Sequence, residues 1–236
     1  NEIPNQEILI KNITEKYPQI KTIVKNINKK NTNVILGEET EIIYGEGYIY
    51  DYLGEFKFKI SPMSFYQVNP LQTYKLYSKA IEYAKLTGKE TIFDLYCGIG
   101  TIGIFASKNV KKLYGIETIE QAIEDAKENA KINNVQNAEF FAGDVEKILP
   151  ELIKTRNLKA DVIFIDPPRK GCDEVAIKTI LEVEPERIVY ISCNPATLAR
   201  DLKELEEKYD IIEATPVDMF GFTSHVEVVT SLKLKI

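Results

Sequence analysis

The chain has 236 residues, is 44% hydrophobic and carries a formal net charge of −6 at pH 7. This length and apolar content indicate a globular protein with one sizeable core and a smaller appended unit. The acidic balance disfavours non-specific nucleic-acid binding by the whole chain, and the lack of an apolar run of about 18 residues disfavours a membrane span and favours a cytoplasmic protein.

Three cysteines, Cys97, Cys172 and Cys193, occur without any Cys-x-x-Cys spacing. An odd number without that spacing argues against a disulfide framework and against a zinc site. We therefore expect no metal in this chain.

The first 60 residues are predicted to form a small α+β unit. A helix over residues 1–17 ends before Pro18, and a strand at 20–27 is followed by a polar turn at 28–33. Short β-like segments separated by glycines follow at 41–44, 47–52 and 55–60.

Residues 11–30 of this unit contain six lysines against the single acid Glu15. A local basic face of this kind can bind RNA phosphates. A solvated amphipathic helix and strand edge explain the same pattern, so the sequence leaves both interpretations open.

A linker loop and a helix are predicted over residues 61–90. The loop at 61–70 has no clear period, and a helical pattern follows at 71–86. Because an ordered loop close to a glycine-rich stretch can supply polar contacts, Gln67 and Asn69 are candidate ligand contacts.

The stretch from Thr91 to Gly103 reads TIFDLYCGIGTIG and predicts a buried strand, a glycine loop and a helix. Gly98, Gly100 and Gly103 match the dinucleotide-binding fingerprint, and Glu117 has the place of its ribose-binding acid. This fingerprint alone is a weak signal and does not decide the ligand.

Asp94 favours one ligand class over the other. Its carboxylate follows the strand where a pyrophosphate would approach the helix N-terminus, and two negative groups repel each other there. S-Adenosylmethionine carries an ammonium and a sulfonium, has no phosphate, and still offers ribose hydroxyls to Glu117. The sequence therefore favours S-adenosylmethionine as cofactor, with a dinucleotide as the weaker alternative.

Strands and helices alternate after the glycine loop, which predicts a doubly wound parallel sheet. The last two strands, 209–217 and 225–235, are joined only by a loop and should form an antiparallel hairpin at one side. We expect a Rossmann-like α/β methyltransferase domain over residues 91–236. The other predicted elements are strand 112–117, helix 119–133, strand 137–142, helix 145–154, strand 160–165, helix 173–183, strand 187–192 and helix 196–208.

Polar residues follow the ends of the predicted strands, where ligands bind in such sheets. Asp166 precedes Pro167 and Pro168, which fix the backbone and hold its carboxylate at a set angle. The strand-end residues are Asp94, Tyr96, Glu117, Asp144, Asp166 and Cys193.

Cys193 is the candidate nucleophile. A helix begins after it at Asn194-Pro195, and the N-terminus of that helix is expected to lower the pKa of the thiol. Because the final strand is antiparallel, its first residues should lie at the same edge, where Glu227 can approach Cys193. A small buried cysteine and an exposed strand carboxylate are the alternatives without function.

A methyl donor, a thiolate and a carboxylate suit methylation of a pyrimidine at C5. Uracil C5 is too poor a nucleophile to attack a sulfonium methyl group unaided, so a thiolate must first add to C6. A base then removes the C5 proton, and the thiol is eliminated. We assign the nucleophile to Cys193, the base to Glu227, and a hydrogen bond to the pyrimidine or the donor to Asp166.

These motifs resemble those of the RNA uracil-5-methyltransferase family. They occur in the family's order and cover most of the chain. The motifs are Phe65-Tyr66-Gln67-Val68-Asn69-Pro70, Asp94-Leu95-Tyr96-Cys97-Gly98-Ile99-Gly100, Asp166-Pro167-Pro168-Arg169-Lys170-Gly171, Ser192-Cys193-Asn194-Pro195 and His225-Val226-Glu227.

The resemblance implies an RNA partner, for which we expect ribosomal RNA, with 23S RNA first and transfer RNA as the alternative. It also implies donor contacts from several of the residues already singled out. The expected cofactor site comprises Gln67, Tyr96, Gly98, Gly100, Glu117, Asp144 and Asp166.

Two departures from the family accompany the resemblance. The N-terminal β-barrel RNA-binding domain of many members and the iron–sulfur cysteine cluster of some do not appear, and the chain begins with Asn1. We therefore expect a fragment with weak RNA affinity. Thr101 also replaces an asparagine of several relatives, which puts one donor contact in question.

Two rival functions are compatible with parts of this pattern. An RNA cytosine-5-methyltransferase also adds a cysteine to C6, and a catalytically idle RNA-binding fragment would bind RNA unchanged after Cys193→Ala. The uracil enzyme is preferred because one mechanism uses Cys193, Glu227 and the Pro167-Pro168 turn.

Overall fold

The computed structural model describes residues 2–31, 35–37 and 39–235, and within these ranges it contains eleven strands and seven α-helices. The strands are β1 (Thr22–Ile27), β2 (Glu39–Gly45), β3 (Ile49–Leu53), β4 (Phe56–Ile60), β5 (Thr91–Leu95), β6 (Lys112–Glu117), β7 (Ala138–Ala142), β8 (Val162–Ile165), β9 (Arg187–Ser192), β10 (Tyr209–Val217) and β11 (Glu227–Leu234). The helices are α1 (Gln6–Lys16), α2 (Pro70–Ala84), α3 (Thr101–Ala106), α4 (Glu120–Ile132), α5 (Val145–Arg156), α6 (Glu174–Val183) and α7 (Pro195–Leu205).

Seven strands form one sheet in the order β10-β11-β9-β8-β5-β6-β7. The strands from β9 to β7 in this order are parallel, and β11 is antiparallel to both β9 and β10. The predicted Rossmann-like sheet with an antiparallel last strand is confirmed. Because the chain proceeds in opposite directions from β5 and from β8, a crevice opens at their carboxyl ends, which is where such folds bind ligands.

Both faces of the sheet are covered by helices. Ile92 of β5 packs into the core under α2, α3 and α4, whereas Phe93 and Leu95 pack into the core under α5, α6 and α7. This alternation follows from the period of two along a strand. Full burial of a side chain such as Phe93 contributes about 2 kcal/mol relative to exposure, so the two cores fix the strand ends that form the site.

The N-terminal unit contains two separate antiparallel pairs, β1 with β2 and β3 with β4. Phe56 and Phe58 of β4 are buried in the core under α2, α3 and α4. The backbone N–H of Lys59 donates to Asn129 Oδ1 of α4 at 2.7 Å. The β3–β4 hairpin is thus attached directly to the helices of the large sheet, and the division of the chain at residue 60 stays a prediction.

Most predicted elements appear within a few residues of their expected limits. Helix α1 begins at Gln6, and α2 begins at Pro70 because the Asn69 side chain accepts a hydrogen bond from the backbone N–H of Gln72. Residues 32 and 33 of the predicted turn lie outside the described residues. Among the helices that the structure describes, none has the length and apolar content needed to span a membrane.

Candidate active site

Strand β5 leads into the site through Asp94, whose carboxylate is fully buried. Oδ2 accepts a hydrogen bond from the backbone N–H of Gly103 at 2.8 Å, whereas Oδ1 has no partner among the described residues. Burial, with a smaller contribution from Glu117, raises the pKa of Asp94 to about 7. A buried carboxylate oxygen without a hydrogen-bond partner costs free energy. This oxygen therefore indicates where a hydrogen-bond donor or a positive charge of a ligand would bind.

The glycine loop after β5 leaves room for a ligand. Gly98 has a φ of +52°, and a Cβ built on it would meet no described heavy atom within 4 Å. Gly100 has a φ of +81°, and a Cβ there would lie 3.1 Å from the ring of Phe140. Glycine adopts these φ values without strain, and at Gly98 it leaves the backbone open to close approach.

Glu117 follows β6 to the edge of this loop. Its Oε2 accepts a hydrogen bond from the backbone N–H of Gly98 at 3.2 Å, and its Oε1 accepts from the backbone N–H of Ile119 at 3.1 Å. These bonds place the carboxylate beside the open backbone. Ribose hydroxyls can donate to the same carboxylate, in agreement with the expected role of Glu117.

The segment before α2 is attached to the rest of the chain by two side-chain hydrogen bonds. Ser64 Oγ donates to Asp125 Oδ2 of α4 at 2.6 Å, and Asn69 Nδ2 donates to the carbonyl of Met219 at 2.9 Å. Gln67 lies between the two attachments, is 8% exposed, and forms no side-chain hydrogen bond with the described residues. Its free amide agrees with a contact to a ligand.

Tyr96 and Asp144 lie at the same edge in different surroundings. Tyr96 has a φ of +63°, and burial, with the neighbouring Cys172 thiol, raises the pKa of its hydroxyl well above the usual value. Asp144 precedes α5 and forms an ion pair with Lys147 in the first turn of that helix. The cofactor contacts assigned to both residues stay predictions.

Asp166 follows β8, the strand beside β5. Burial of its carboxyl group and the negative charges of Glu227 and Asp94 raise its pKa well above the usual value. Carboxylates this close repel one another in the ionised form, and a cationic ligand relieves that repulsion. This edge of the sheet therefore suits a cation better than a phosphate.

Cys193 and Glu227 are neighbours across the antiparallel pair. Val228 of β11 is the register partner of Ser192 of β9, so the residues next to them, Glu227 and Cys193, emerge at the same end. Glu227 is 6% exposed, and Cys193 is partly exposed. The structure brings the two residues together as the predicted topology requires, and their chemical roles stay predictions.

The predicted lowering of the thiol pKa is wrong. Burial raises the pKa of Cys193, Glu227 and Asp166 raise it further, and Arg169 and a backbone hydrogen bond oppose them. Desolvation and two nearby carboxylates disfavour the thiolate form of Cys193. Burial also raises the pKa of Glu227, again opposed by Arg169, and a carboxylate with a raised pKa is a stronger proton acceptor than an exposed one.

Arg169 and Tyr77 also lie near the candidate catalytic residues, although the sequence alone assigned no role to either. The charge of Arg169 acts on both Cys193 and Glu227, and its place three residues after Asp166 was a signal for it. Burial, together with Asp166, raises the pKa of Tyr77. The sequence shows Tyr77 only as one apolar position of α2.

The lysines of residues 11–30 are partly neutralised. Lys25 forms an ion pair with Glu41, and Lys29 Nζ lies 2.6 Å from Glu39 Oε1. Both acids belong to β2, which pairs with β1. The basic face is therefore smaller than the local sequence suggests, and its RNA contact stays a prediction.

Several known proteins are similar to this chain in sequence. Residues 6–235 match the family model described as tRNA (Uracil-5-)-methyltransferase. An "uncharacterized RNA methyltransferase" of Bacillus cereus is 54% identical over 234 residues, which are 99% of this chain and 51% of that protein. One of Staphylococcus aureus is 50% identical over 232 residues, 98% of this chain and 51% of that protein. The chain thus spans about half the length of these relatives.

Two solved structures are also similar to this chain. The Pyrococcus abyssi tRNA (uracil-54, C5)-methyltransferase in complex with S-adenosyl-L-homocysteine is 35% identical, with a TM-score of 0.76 over 93% of this chain and 52% of that chain. The M. jannaschii tRNA m1G37 methyltransferase is 17% identical, with a TM-score of 0.65 over 100% of this chain and 69% of that chain. The second similarity shows the fold alone.

Proposed function

The chain belongs to the tRNA (uracil-5-)-methyltransferase family, and from this premise we propose that it methylates C5 of a uracil base in RNA with S-adenosylmethionine as donor. The observation that supports the proposal most directly is the Cys193 and Glu227 pair at the strand ends, next to Asp166, which is also affected by the charge of Asp94. This arrangement supplies a nucleophile, a base and a donor site within one edge of the sheet.

The residues of the glycine loop fit the proposed donor. Asp94 Oδ1 is buried without a partner among the described residues, and the space above Gly98 is open. Neighbouring carboxylates favour the ammonium and sulfonium groups of S-adenosylmethionine. The residues that would bind it are Gln67, Tyr96, Gly98, Gly100, Glu117, Asp144 and Asp166.

The protein's own groups divide the reaction into three steps. Cys193 adds as the thiolate, its proton having passed to solvent, so that a bond forms from Sγ to C6 and the C5–C6 π electrons become available at C5. When bound, S-adenosylmethionine would supply an electrophilic methyl group to C5, with cleavage of its S–CH3 bond and S-adenosylhomocysteine as the neutral leaving group. Glu227 then takes the C5 proton, the C5–C6 double bond reforms, and the Sγ–C6 bond breaks to return the thiolate.

Asp166 and Arg169 adjust this chemistry in opposite directions. Arg169 favours the thiolate of Cys193 because it supplies a nearby positive charge, whereas Asp166 disfavours it. Burial and two neighbouring carboxylates raise the pKa of Asp166, which favours its protonated form. In that form the carboxyl group can donate a hydrogen bond to a carbonyl oxygen of the pyrimidine.

The RNA substrate is proposed to be ribosomal RNA, with 23S RNA first, on the basis of the motif resemblance. Transfer RNA is the second candidate, because the Pyrococcus abyssi protein named above is titled a tRNA (uracil-54, C5)-methyltransferase. Transcripts of both classes, offered separately with labelled S-adenosylmethionine, distinguish the candidates by which RNA acquires label.

Covalent trapping tests the reaction class. The protein is mixed with S-adenosylmethionine and RNA that contains 5-fluorouridine, and an adduct is sought after denaturing electrophoresis. Fluorine cannot leave as a proton does, so the methylated intermediate should stay bonded to Cys193. The adduct should be absent with Cys193→Ala and with RNA that contains only 5-fluorocytidine. A wild-type adduct with 5-fluorocytidine alone would instead support the cytosine enzyme, and a Cys193→Ala adduct would exclude Cys193 as the nucleophile.

A further inference from the structure

A buried carboxylate on α7 connects the two loops that meet at the candidate active site. Asp201 is 2% exposed. Its Oδ2 accepts hydrogen bonds from the Tyr190 hydroxyl at 2.6 Å and from the backbone N–H of Cys172 at 2.8 Å. Its Oδ1 accepts from Nε and Nη2 of Arg200 at 2.8 and 2.6 Å. Each oxygen of the carboxylate therefore accepts two hydrogen bonds.

The second partner of this carboxylate also binds the loop after β8. Arg200 Nη2 donates to the carbonyls of Lys170 and Cys172, each at 2.9 Å. A Cβ on Gly171 would lie 2.6 Å from Arg200 Nη2 and from Asp201 Oδ2, and its φ is +77°. The loop thus packs directly onto the charged pair, and only glycine leaves room for that contact.

This loop carries Arg169 toward the nucleophile. The Arg169 carbonyl accepts hydrogen bonds from Asn194 Nδ2 and from Thr197 Oγ1, each at 3.2 Å. Asn194 is the residue after Cys193, and Tyr190 lies three residues before Cys193 on β9. The loop and the strand end are therefore attached to each other on both sides of the thiol.

We propose that Asp201, with Tyr190 and Arg200, is a positioning group that fixes the Arg169 loop against the strand end of Cys193. It contacts neither substrate nor donor and acts through Arg169, the cation placed near both Cys193 and Glu227. The inference rests on the proposed nucleophilic role of Cys193. It explains why Arg169, whose positive charge opposes the charges of Asp166 and Glu227 at the thiol, lies where it does.

The Cys193 thiol itself reports this placement without RNA or donor. The charged groups that face it are Glu227 from β11, and Asp166 and Arg169 from the loop after β8. Iodoacetamide reacts with the thiolate, so its reaction rate against pH follows the ionisation of the thiol. Cys97 and Cys172 are buried, and mass spectrometry of the Cys193 peptide separates its alkylation from theirs.

Tyr190→Phe is the decisive variant because it removes one hydroxyl and keeps the ring. We expect the midpoint pH of Cys193 alkylation to rise by about 0.5 unit, in the direction of Arg169→Gln, because Arg169 moves away from the thiol. Asp201→Asn should give the same direction. In the Arg169→Gln background, Tyr190→Phe should add no further shift, because the group through which it acts is gone.

Tyr209→Phe is the matched control. Tyr209 is buried in the same sheet, and its hydroxyl donates to the carbonyl of Pro185 at 2.8 Å, away from the Arg169 loop. Its alkylation midpoint should equal that of the wild type. The proposal is overturned if folded Tyr190→Phe has the wild-type midpoint, or if Tyr209→Phe shifts equally. Failure of methyl transfer with an intact alkylation shift would reject the proposed function and leave this inference standing.

Discussion

Glu227 lies beside Cys193 because Val228 pairs with Ser192 in the antiparallel ladder between β11 and β9. A parallel strand at this position would have placed its first residue at the opposite edge of the sheet, away from the thiol. The antiparallel hairpin at the end of the chain therefore has a chemical consequence. It brings the carboxylate of Glu227 to Cys193, the proposed nucleophile, more than thirty residues earlier in the sequence.

Replacement of Glu227 by glutamine should separate the addition step from the elimination step. Cys193 can still add to C6, but no carboxylate removes the C5 proton, so a covalent adduct with ordinary uridine RNA should accumulate. Turnover should fall by roughly 10²–10⁴-fold. Denaturing electrophoresis of labelled RNA measures the adduct, and release of methylated RNA measures turnover.

Glu213→Gln provides the control for that variant, since Glu213 is an exposed carboxylate on the neighbouring strand β10. It should retain wild-type turnover and accumulate no adduct. Wild-type turnover by Glu227→Gln would remove Glu227 as the base and direct attention to Asp166.

The raised pKa of Asp94 predicts pH-dependent donor binding. With a pKa of about 7 in the ligand-free protein, Asp94 is largely protonated at pH 6 and ionised at pH 8. If the cationic donor binds the ionised form, affinity should increase by about tenfold between these values, with release of a proton. Calorimetry in two buffers of different ionisation enthalpy measures both effects.

Two variants control this measurement, one at Asp94 near the end of β5 and one at Asp161, which precedes β8 and contacts the start of β5. Asp94→Asn should reduce the pH dependence, whereas Asp161→Asn should keep it, because Asp161 binds the backbone N–H of Thr91 at the other end of the strand. An unchanged slope in Asp94→Asn would show that Asp94 is not the group linked to donor binding.

The buried Asp94 carboxylate should also destabilise the folded, ligand-free protein at high pH. Its pKa is raised above the unfolded value of about 3.9, so the folded state binds the proton more tightly. The contribution to stability is complete below pH 4 and is lost as the pH rises through 7. Asp94→Asn should therefore stabilise the ligand-free protein by about 4 kcal/mol at pH 8, since each pKa unit corresponds to about 1.4 kcal/mol, and by little at pH 4. Urea unfolding at both pH values measures this, and an equal effect at the two values would contradict it.

The sequence was sufficient for the sheet and for the strand ends because each depends on a local pattern. Strand β6 was predicted with its observed limits, and the antiparallel hairpin led directly to Glu227. The direction of the Cys193 pKa was not accessible, because it depends on burial and on charges from separate strands. Asp201 was missed because an acid in a short amphipathic helix is indistinguishable in sequence from a solvated one.

Asn129 is the subject of a final prediction, because its side chain connects the β3–β4 hairpin to the glycine loop. It is fully buried, and Asn129 Nδ2 donates to the carbonyls of Lys59 and Ile99, each at 3.2 Å. Asn129→Ala should lower the free energy of unfolding by about 2–3 kcal/mol because buried backbone groups lose partners. It should also weaken donor binding about fivefold, because the Ile99 carbonyl belongs to the glycine loop.

Asn133→Ala separates these two effects. Asn133 makes the equivalent bonds to the backbone of Lys57, one turn farther along α4, and none to the glycine loop among the described residues. Its loss should destabilise the protein by about 1–2 kcal/mol and leave donor affinity unchanged. Urea unfolding measures the loss of stability, and calorimetry measures the affinity for the methyl donor. If both variants weaken donor binding equally, the hairpin supports the cofactor site through general stability. The Asn129 bond to Ile99 would then have no separate role.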